Sequence, residues 1–379
     1  MARLPILVLA GLIGLAPALI AQNSIYGVRG IGFPGQPFSV RARALGGGWA
    51  PFDQFSPQNP AATASFTALS VSASYGLTTR NYSIDTTSVS GLVENRFPVA
   101  ILGGNMGRTP LSFSISFSTY AERTYSLTTT GSGMVGGEIV QTQDRIASDG
   151  GIVDARGTVG WRVSPSLSLG GALHLINGSS RITAHREFID TDLVAFDVDS
   201  DLSFSGIGAS AGLIWRGSGG RIQFALAGRW DNRLQAEIDN TVQSEVDLPL
   251  AGTAGLSLAI TSSLRWSTGA TWRGWNVSTT TSSGATGADV QAFDTWNVGT
   301  GLEIGSFTAR FPVRLGARYA TLPFAVSAQP HELVLAAGTG SRFAAGRGTL
   351  NVTIERLMRD GAGARERGWH LTLGITVQP

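Results

Sequence analysis

Arg310, Arg314 and Arg318 recur every four residues along one alternating stretch, so a strand there would turn all three guanidinium groups to one face. Stacked cations repel unless an anion lies among them, which makes the three candidates for holding a carboxylate, from a ligand or from Asp53. The same alternation sets Arg156, Arg162, Arg221, Arg229, Arg265 and Arg273 on a polar parity with Asp154, Asp231, Glu245, Asp247, Glu303 and Glu355. This charge reads two ways. It is either a paired ionic lattice, because buried charges are normally paired, or an arginine track for an anionic headgroup. His174, His185, His331 and His370 are scattered, with no nucleophile elbow or zinc-ligand spacing beside them. His174 lies on a polar parity and would matter to a hydrolase only with Ser and Asp partners. The run Asp190, Asp192, Asp197, Asp199, Asp201 imitates the start of a calcium loop but lacks the following Gly and the distal Glu. No catalytic residue, metal ligand or cofactor site is assigned, and the expectation is a protein that is not an enzyme.

The elements that must position these charges are strands. The chain has 379 residues, 50 of them Gly, only 14% charged, and a net charge of +2 that offers nucleic acid no general attraction. All 28 basic residues are Arg, and there is no Cys to form a disulfide framework. Residues 1–21 have the form of a secretory signal: Arg3, an apolar run from Leu4 to Leu15, and cleavage after Ala21 or Ala18. No later stretch reaches the ~20 apolar residues of a membrane helix. From Val153 to Val163 the odd positions are Val, Ala, Gly, Val, Trp and Val, while the even ones include Asp154, Arg156 and Arg162. One greasy face and one wet face is the signature of a strand in a transmembrane barrel or a sandwich.

Spacing chooses between them. Strands are expected near 66–84, 97–106, 110–128, 151–163, 166–186, 202–216, 221–236, 244–261, 264–277, 292–306, 309–322, 331–341, 346–358 and 367–378. A change of face is expected between Phe204 and Ile207. The links alternate between tight turns (Gly107 to Thr109, Ser164-Pro165, Gly217 to Gly220, Ser262-Ser263, Phe307-Thr308, Arg342 to Ala345) and longer polar ones (85–96, 129–150, 187–201, 237–243, 278–291, 323–330, 359–366). Short periplasmic turns alternating with long outer loops belong to bacterial barrels, and a sandwich has no reason to obey that parity. An even strand number would leave both ends of the chain on the short-turn side. Trp161, Trp215 and Trp266 would form one interfacial belt; Trp230, Trp272, Trp296, Tyr319 and Trp369 would form the other, ~25 Å away. The last strand, Trp369 to Val377, has the form of an assembly signal for the barrel-insertion machinery, resting on Leu373, Ile375 and Val377. The fold class is thus an all-β, 14-stranded antiparallel outer-membrane barrel, in contact with outer-membrane lipid and lipopolysaccharide.

Residues 26–63 break the pattern. They are crowded with Gly and Pro and cannot join a ladder, yet Ile31, Phe33, Phe38, Leu45, Trp49, Phe52 and Phe55 need a dry place. A plug inside the barrel satisfies both conditions. Ala44-Leu45-Gly46-Gly47, followed by Asn59-Pro60-Ala61, resembles the N-terminal hatch of the FadL-like family of outer-membrane transporters for long-chain fatty acids. The resemblance implies three parts: a signal at 1–21, a plug at 22–64 and a barrel at 65–379. It also implies passive uptake of hydrophobic small molecules past a movable hatch. Trp49, Phe52 and Phe55 are candidate apolar ligand contacts, beside Arg310, Arg314 and Arg318. An alternative resemblance is to PorV-like barrels, which serve protein secretion as binding scaffolds.

Overall fold

The computed structural model describes residues 24–378 except 85–86, 136, 190–192, 239–240, 279–289 and 306–308; the signal segment, Asp190, Asp192 and Phe307-Thr308 lie outside the described residues. The chain forms a closed barrel of fourteen antiparallel strands. They are β1 (Ser70–Ile84), β2 (Thr87–Arg96 and Val99–Asn105), β3 (Leu111–Glu122 and Tyr125–Val135), β4 (Glu138–Arg162) and β5 (Leu167–Ile189). Next come β6 (Phe196–Arg216), β7 (Ile222–Asp231 and Arg233–Ile238), β8 (Thr241–Asp247 and Ala251–Ala259) and β9 (Leu264–Arg273). The last are β10 (Thr295–Ile304), β11 (Val313–Thr321), β12 (His331–Phe343), β13 (Gly348–Gly361) and β14 (Ala364–Val377). Each strand pairs with the next, and β1 closes on β14 in one continuous register from Val71–Val377 to Ile84–Ala364. Closure leaves no strand edge in lipid, where an unpaired backbone group is costly.

The two faces separate as period two demands. Val153, Val159, Leu173, Leu175, Leu226 and Leu371 point outward and are exposed, whereas Asp154, Arg156, Thr158, His174, Glu355 and His370 are buried inside. Three expectations change. The long links at 129–150 and 187–201 are mostly strand: β3 to β6 run on as tall hairpins, with Tyr125–Val135 paired to Glu138–Ser148 and Gln141 reaching Ile189. Between Phe204 and Ile207 there is no change of face, since the β5–β6 register runs unbroken from Trp215 to Phe196. The irregularity sits in β7 instead, where Asn232 falls between two ladders whose registers differ by one residue. A one-residue slip exchanges the faces. Leu234 and Ala236 therefore point inward, while Glu245 and Asp247 are exposed and pair with Arg233 rather than facing the lumen.

The aromatic rows form, but closer together than expected. Trp272 and Trp296 are direct cross-strand partners, and Trp215 stacks beside Phe224 with ring centroids 5.8 Å apart. Trp266 and Trp272 lie six residues apart on β9. That is about 20 Å along a strand, and less along the axis of a tilted barrel, against the ~25 Å of the usual apolar band.

The N-terminal segment enters from the opposite end to the one expected. Ser24 bonds Glu366 at 2.8 Å, and the Tyr26 hydroxyl donates to the Ala364 carbonyl at 2.7 Å, beside the β13–β14 hairpin on the tall-hairpin side. Phe33 and Pro34 pair with Glu122 and Ala121 of β3. The chain then forms helix α1 (Val40–Ala44) and two 3-10 turns, Ala50–Phe52 and Pro60–Ser65, before β1 starts near the short turns. Gln378, at the other end of the chain, bonds Arg347 on the short-turn side. By the rule that short turns are periplasmic, the segment threads the lumen from the outer end to the inner one.

Candidate functional site

Where the backbone of this segment comes closest to the wall, many of the facing wall residues are glycines. Gly160, Gly170, Gly212, Gly255, Gly269, Gly299, Gly301, Gly316, Gly338 and Gly374 all face it, on strands from β4 round to β14. Several are cross-strand neighbours: Gly160 with Gly170, Gly170 with Gly212, Gly255 with Gly269, Gly269 with Gly299, and Gly301 with Gly316. A Cβ on Gly301 would lie 2.6 Å from the Leu45 Cα, and one on Gly338 2.6 Å from the Ala44 Cβ. The wall is a glycine seat cut to fit the segment's backbone.

The two quoted motifs occupy that seat. Ser39 caps α1 by accepting from the Ala42 amide. Gly46 and Gly47 then take φ of +61° and +85°, which L side chains rarely adopt. This turns Ala44-Leu45-Gly46-Gly47 tightly against β10 and β11. Asn59 caps the next turn: its Oδ1 accepts from the Ala61 amide at 3.0 Å, and its Nδ2 donates to the carbonyls of Pro51 at 3.1 Å and, in the wall, Leu213 at 3.3 Å. Pro60, at the first position of that turn, lacks only a donor that would be orphaned there anyway.

Charge ties segment to wall. Arg41 pairs with Glu303 at 2.5 Å, and Arg43 with Glu355 at 3.1 Å. Asp53 is satisfied within the segment by the hydroxyls of Ser39 and Ser56 and the Phe55 amide, not by the wall. The wall arginines are paired as well. Arg314 bonds Glu303 at 2.8 Å, Arg318 bonds Glu332 at 2.9 Å, and Arg359 bonds Glu332 at 2.6 Å. Arg310 is not on their strand: it stands exposed before β11, over the Phe311 ring. The three arginines thus form no single track. Two belong to an ionic lattice and one lies at the rim.

Above and below the seat the lumen differs. On the outer side, Ile152, Ile176, Phe204 and Leu234 point inward and form one buried apolar cluster with Ile31 of the segment. Trp275 and Phe324 from the outer loops join it, edge to face at 5.3 Å. On the periplasmic side a cavity of about 440 Å³ opens below the segment, lined by Trp49, Phe52, Phe55, Arg310 and Arg314 among others; Arg318 is not part of it. Trp49 stands 5.4 Å from Phe52, with the guanidinium groups of Arg41 and Arg265 over its ring at 4.8 and 5.0 Å. The candidate aromatic contacts therefore face the inner cavity, and the outer cluster consists mainly of residues that alternation alone assigns to a polar lumen.

His174 does find partners: Nε2 lies 2.8 Å from Ser210 Oγ, and Nδ1 lies 3.1 Å from Asp154. The order matches a Ser–His–Asp relay. Asp154, however, also holds Arg156 and Arg229 at 2.5 Å each, and Ser210 does not line the periplasmic cavity. The group is one more part of the lattice. In the outer hairpins His185 pairs with Asp197 at 2.6 Å and Arg181 with Asp201 at 2.9 Å, so those carboxylates serve the ladder.

No family model matches the chain, and no curated protein matches it in sequence. Among solved structures it is similar to a FadL homologue from Pseudomonas aeruginosa, with a TM-score of 0.59 and 14% identity over 91% of this chain and 98% of that one. It is similar also to TbuX, a toluene transporter of Ralstonia pickettii (TM-score 0.61, 14% identity, 90% and 98% covered). The toluene transporter TodX of P. putida gives a TM-score of 0.58 at 11% identity, with 91% and 99% covered. At such identities the likeness is one of architecture, and the chain has the fold of the FadL-type outer-membrane barrels.

Proposed function

We propose that the protein is an outer-membrane channel for the passive uptake of hydrophobic small molecules, with residues 22–64 as the plug that keeps it closed. The observation that carries this reading is the outer apolar cluster. A water-filled pore lines its lumen with polar side chains, whereas Ile152, Ile176, Phe204 and Leu234 turn apolar side chains inward near the outer mouth, where Ile31, Trp275 and Phe324 cover them. Each Å² of apolar surface that a ligand buries there is worth roughly 25 cal/mol, so transfer from water is downhill without an energy source. The likeness in fold to barrels described as toluene transporters supports a small aromatic or aliphatic cargo; a long-chain fatty acid fits the same chemistry. Passage then requires the segment to leave part of its seat. The part near Ser24 to Gln36, held by hydrogen bonds and a two-residue pairing with β3, releases at lower cost than the backbone packed on the glycines.

The test is uptake of labelled toluene and labelled oleate by bacterial cells that lack other such barrels. Cells making this protein should take up at least one of the two faster than cells without it. A Phe204→Asp variant that still inserts should lose that gain. Equal uptake with and without the protein would overturn the reading.

A further inference from the structure

We infer that the upper half of the β7–β8 hairpin, Arg233–Ile238 and Thr241–Asp247, is a hinged lid over the outer apolar cluster, and that cargo reaches the lumen by displacing it. The inference rests on the channel reading and deepens it by naming the element that admits the cargo. The β7–β8 ladder runs from Ile222–Leu258 to Arg229–Ala251, stops, and resumes at Arg233–Asp247. Trp230, Asp231 and Asn232 thus share no rung with Leu248, Pro249 and Leu250 opposite. Pro249 has no N–H to give one. At the same level β7 slips by one residue against β6, between Asp231 and Gln235. Both sides of β7 are weakened together, and a few such residues are enough for a hinge. The β4–β5 ladder has no such break from Arg162–Ser168 to Gln141–Ile189, nor has β13–β14 from Gly348–Val377 to Gly361–Ala364.

Above the break the hairpin has few lateral ties. On one side it meets β6 through three rungs, Gln235–Ser205 to Glu237–Ser203. On the other side β9 ends at Arg273, opposite Ala251, and Ser278 Oγ donates to the Asp247 carbonyl at 2.5 Å. The two faces of the hairpin differ. Arg233 pairs with Glu245 and Asp247 on the water side, whereas Leu234, Ala236 and Val246 are buried in the cluster with Ile31, Phe204 and Trp275. A hydrophobic molecule entering the cluster replaces the apolar contacts that the lid gives up on opening, and a polar solute replaces none of them. The break lies beside Trp230, in the outer aromatic row. The hinge therefore stands at the membrane surface, where water and headgroups satisfy the backbone groups that move.

The test staples the lid shut. The chain has no Cys, so an introduced pair forms a single disulfide. Gln235 and Ser205 are direct partners, and opposed Cα atoms in an antiparallel ladder stand about 4.5–5.5 Å apart, inside the range a disulfide spans. Gln235 bonds Glu245 on the water side, so the staple leaves the apolar face untouched. With the disulfide formed in Gln235→Cys, Ser205→Cys, the uptake gain for labelled toluene and oleate should fall to the level of cells without the protein and return on reduction. A staple within the outer β5–β6 ladder, Thr183→Cys, Asp199→Cys, should change nothing. Heat-modifiable migration on a gel verifies that both barrels have folded. Equal uptake by the oxidised and reduced lid variant, or equal loss from both staples, would overturn the inference. Hydrogen exchange of the unaltered full-length protein in nanodiscs reads the motion without flux. Corrected for intrinsic rates, the amides of Gln235 to Glu237 should exchange at least about tenfold faster than those of Arg181 to Thr183, because a part held by three rungs opens before a long ladder does. Equal exchange would overturn the lid. Faster exchange there with no uptake by any form would sink the channel reading and leave the lid standing.

Discussion

The two ends of the lumen are built from the same alternating strands and end up opposite in character. The outer end is filled by Ile152, Ile176, Phe204, Leu234, Trp275 and Phe324, whereas the inner end holds a cavity rimmed by arginine. Between them the segment rests on the glycine seat. The difference shows that the barrel is divided rather than uniformly lined. A packed apolar cluster and a cavity rimmed by arginine lie on either side of the seated segment.

Removing that layer should have the largest effect. Deleting residues 26–63 should leave an inserted barrel, since closure needs only strand-to-strand hydrogen bonds. The truncated protein should conduct ions in planar bilayers while the full-length protein stays nearly silent. Equal conductance from both would end the division into compartments.

A single methyl-bearing side chain in the seat should open it partly. Gly301→Val would push against the Leu45 backbone, 2.6 Å from where the new Cβ must stand, and no rotamer relieves such a contact. Conductance between the two extremes is expected. Gly228→Ala, whose Cβ would meet nothing within 4 Å, should leave the channel silent. If both behave alike, the seat is not what holds the segment.

Smaller again is the loss of one ion pair across the boundary. Arg43→Gln would strip Glu355 of a partner at 3.1 Å in a buried place, although Arg318 stays 3.6 Å away. We expect a cost of about 3 kcal/mol in urea unfolding from vesicles, the low end for breaking a buried pair. The double variant Arg43→Gln, Glu355→Gln should cost less than the single one, because it leaves no charge stranded. A double variant worse than the single would mean the pair is worth more than its desolvation.

The smallest effect belongs outside both compartments. Asp144 lies seventeen residues before Trp161 on β4, about 55 Å along the strand, beyond a bilayer ~30 Å thick. The hydrogen bond from Arg186 holds its carboxyl below the usual carboxylate range. A depressed value stabilises above the unfolded pKa, and that contribution is lost as pH falls through the lowered folded value. Local hydrogen exchange in the β4–β5 hairpin, corrected for its intrinsic rate, should therefore quicken on acidification. Arg186→Gln should show the quicker exchange already at neutral pH, with uptake and conductance unchanged. A change in either would tie the outer hairpins to the lumen.

Much of the fold was legible in the sequence. Strand number, short-turn sites and the outward faces of β4, β5 and β14 follow from period-two alternation and turn residues, which are local properties. So is the breaker-rich character of 26–63. Alternation says which residues share a face; it does not say what that face will meet. Phe204 and Ile176 look misplaced on a polar parity until the outer loops and Ile31 arrive to cover them. Leu234 changes face because β7 carries one extra residue between Asp231 and Gln235, which no local pattern announces. Arg314 and Arg318 look like a free track until neighbouring strands bring Glu303 and Glu332 beside them. The glycines of the seat are visible one by one in the chain, but only closure of β1 on β14 sets them in a ring around a threaded backbone. Local chemistry determined the wall. What fills it was decided by pairings between residues far apart in sequence, which exist only once the barrel has closed.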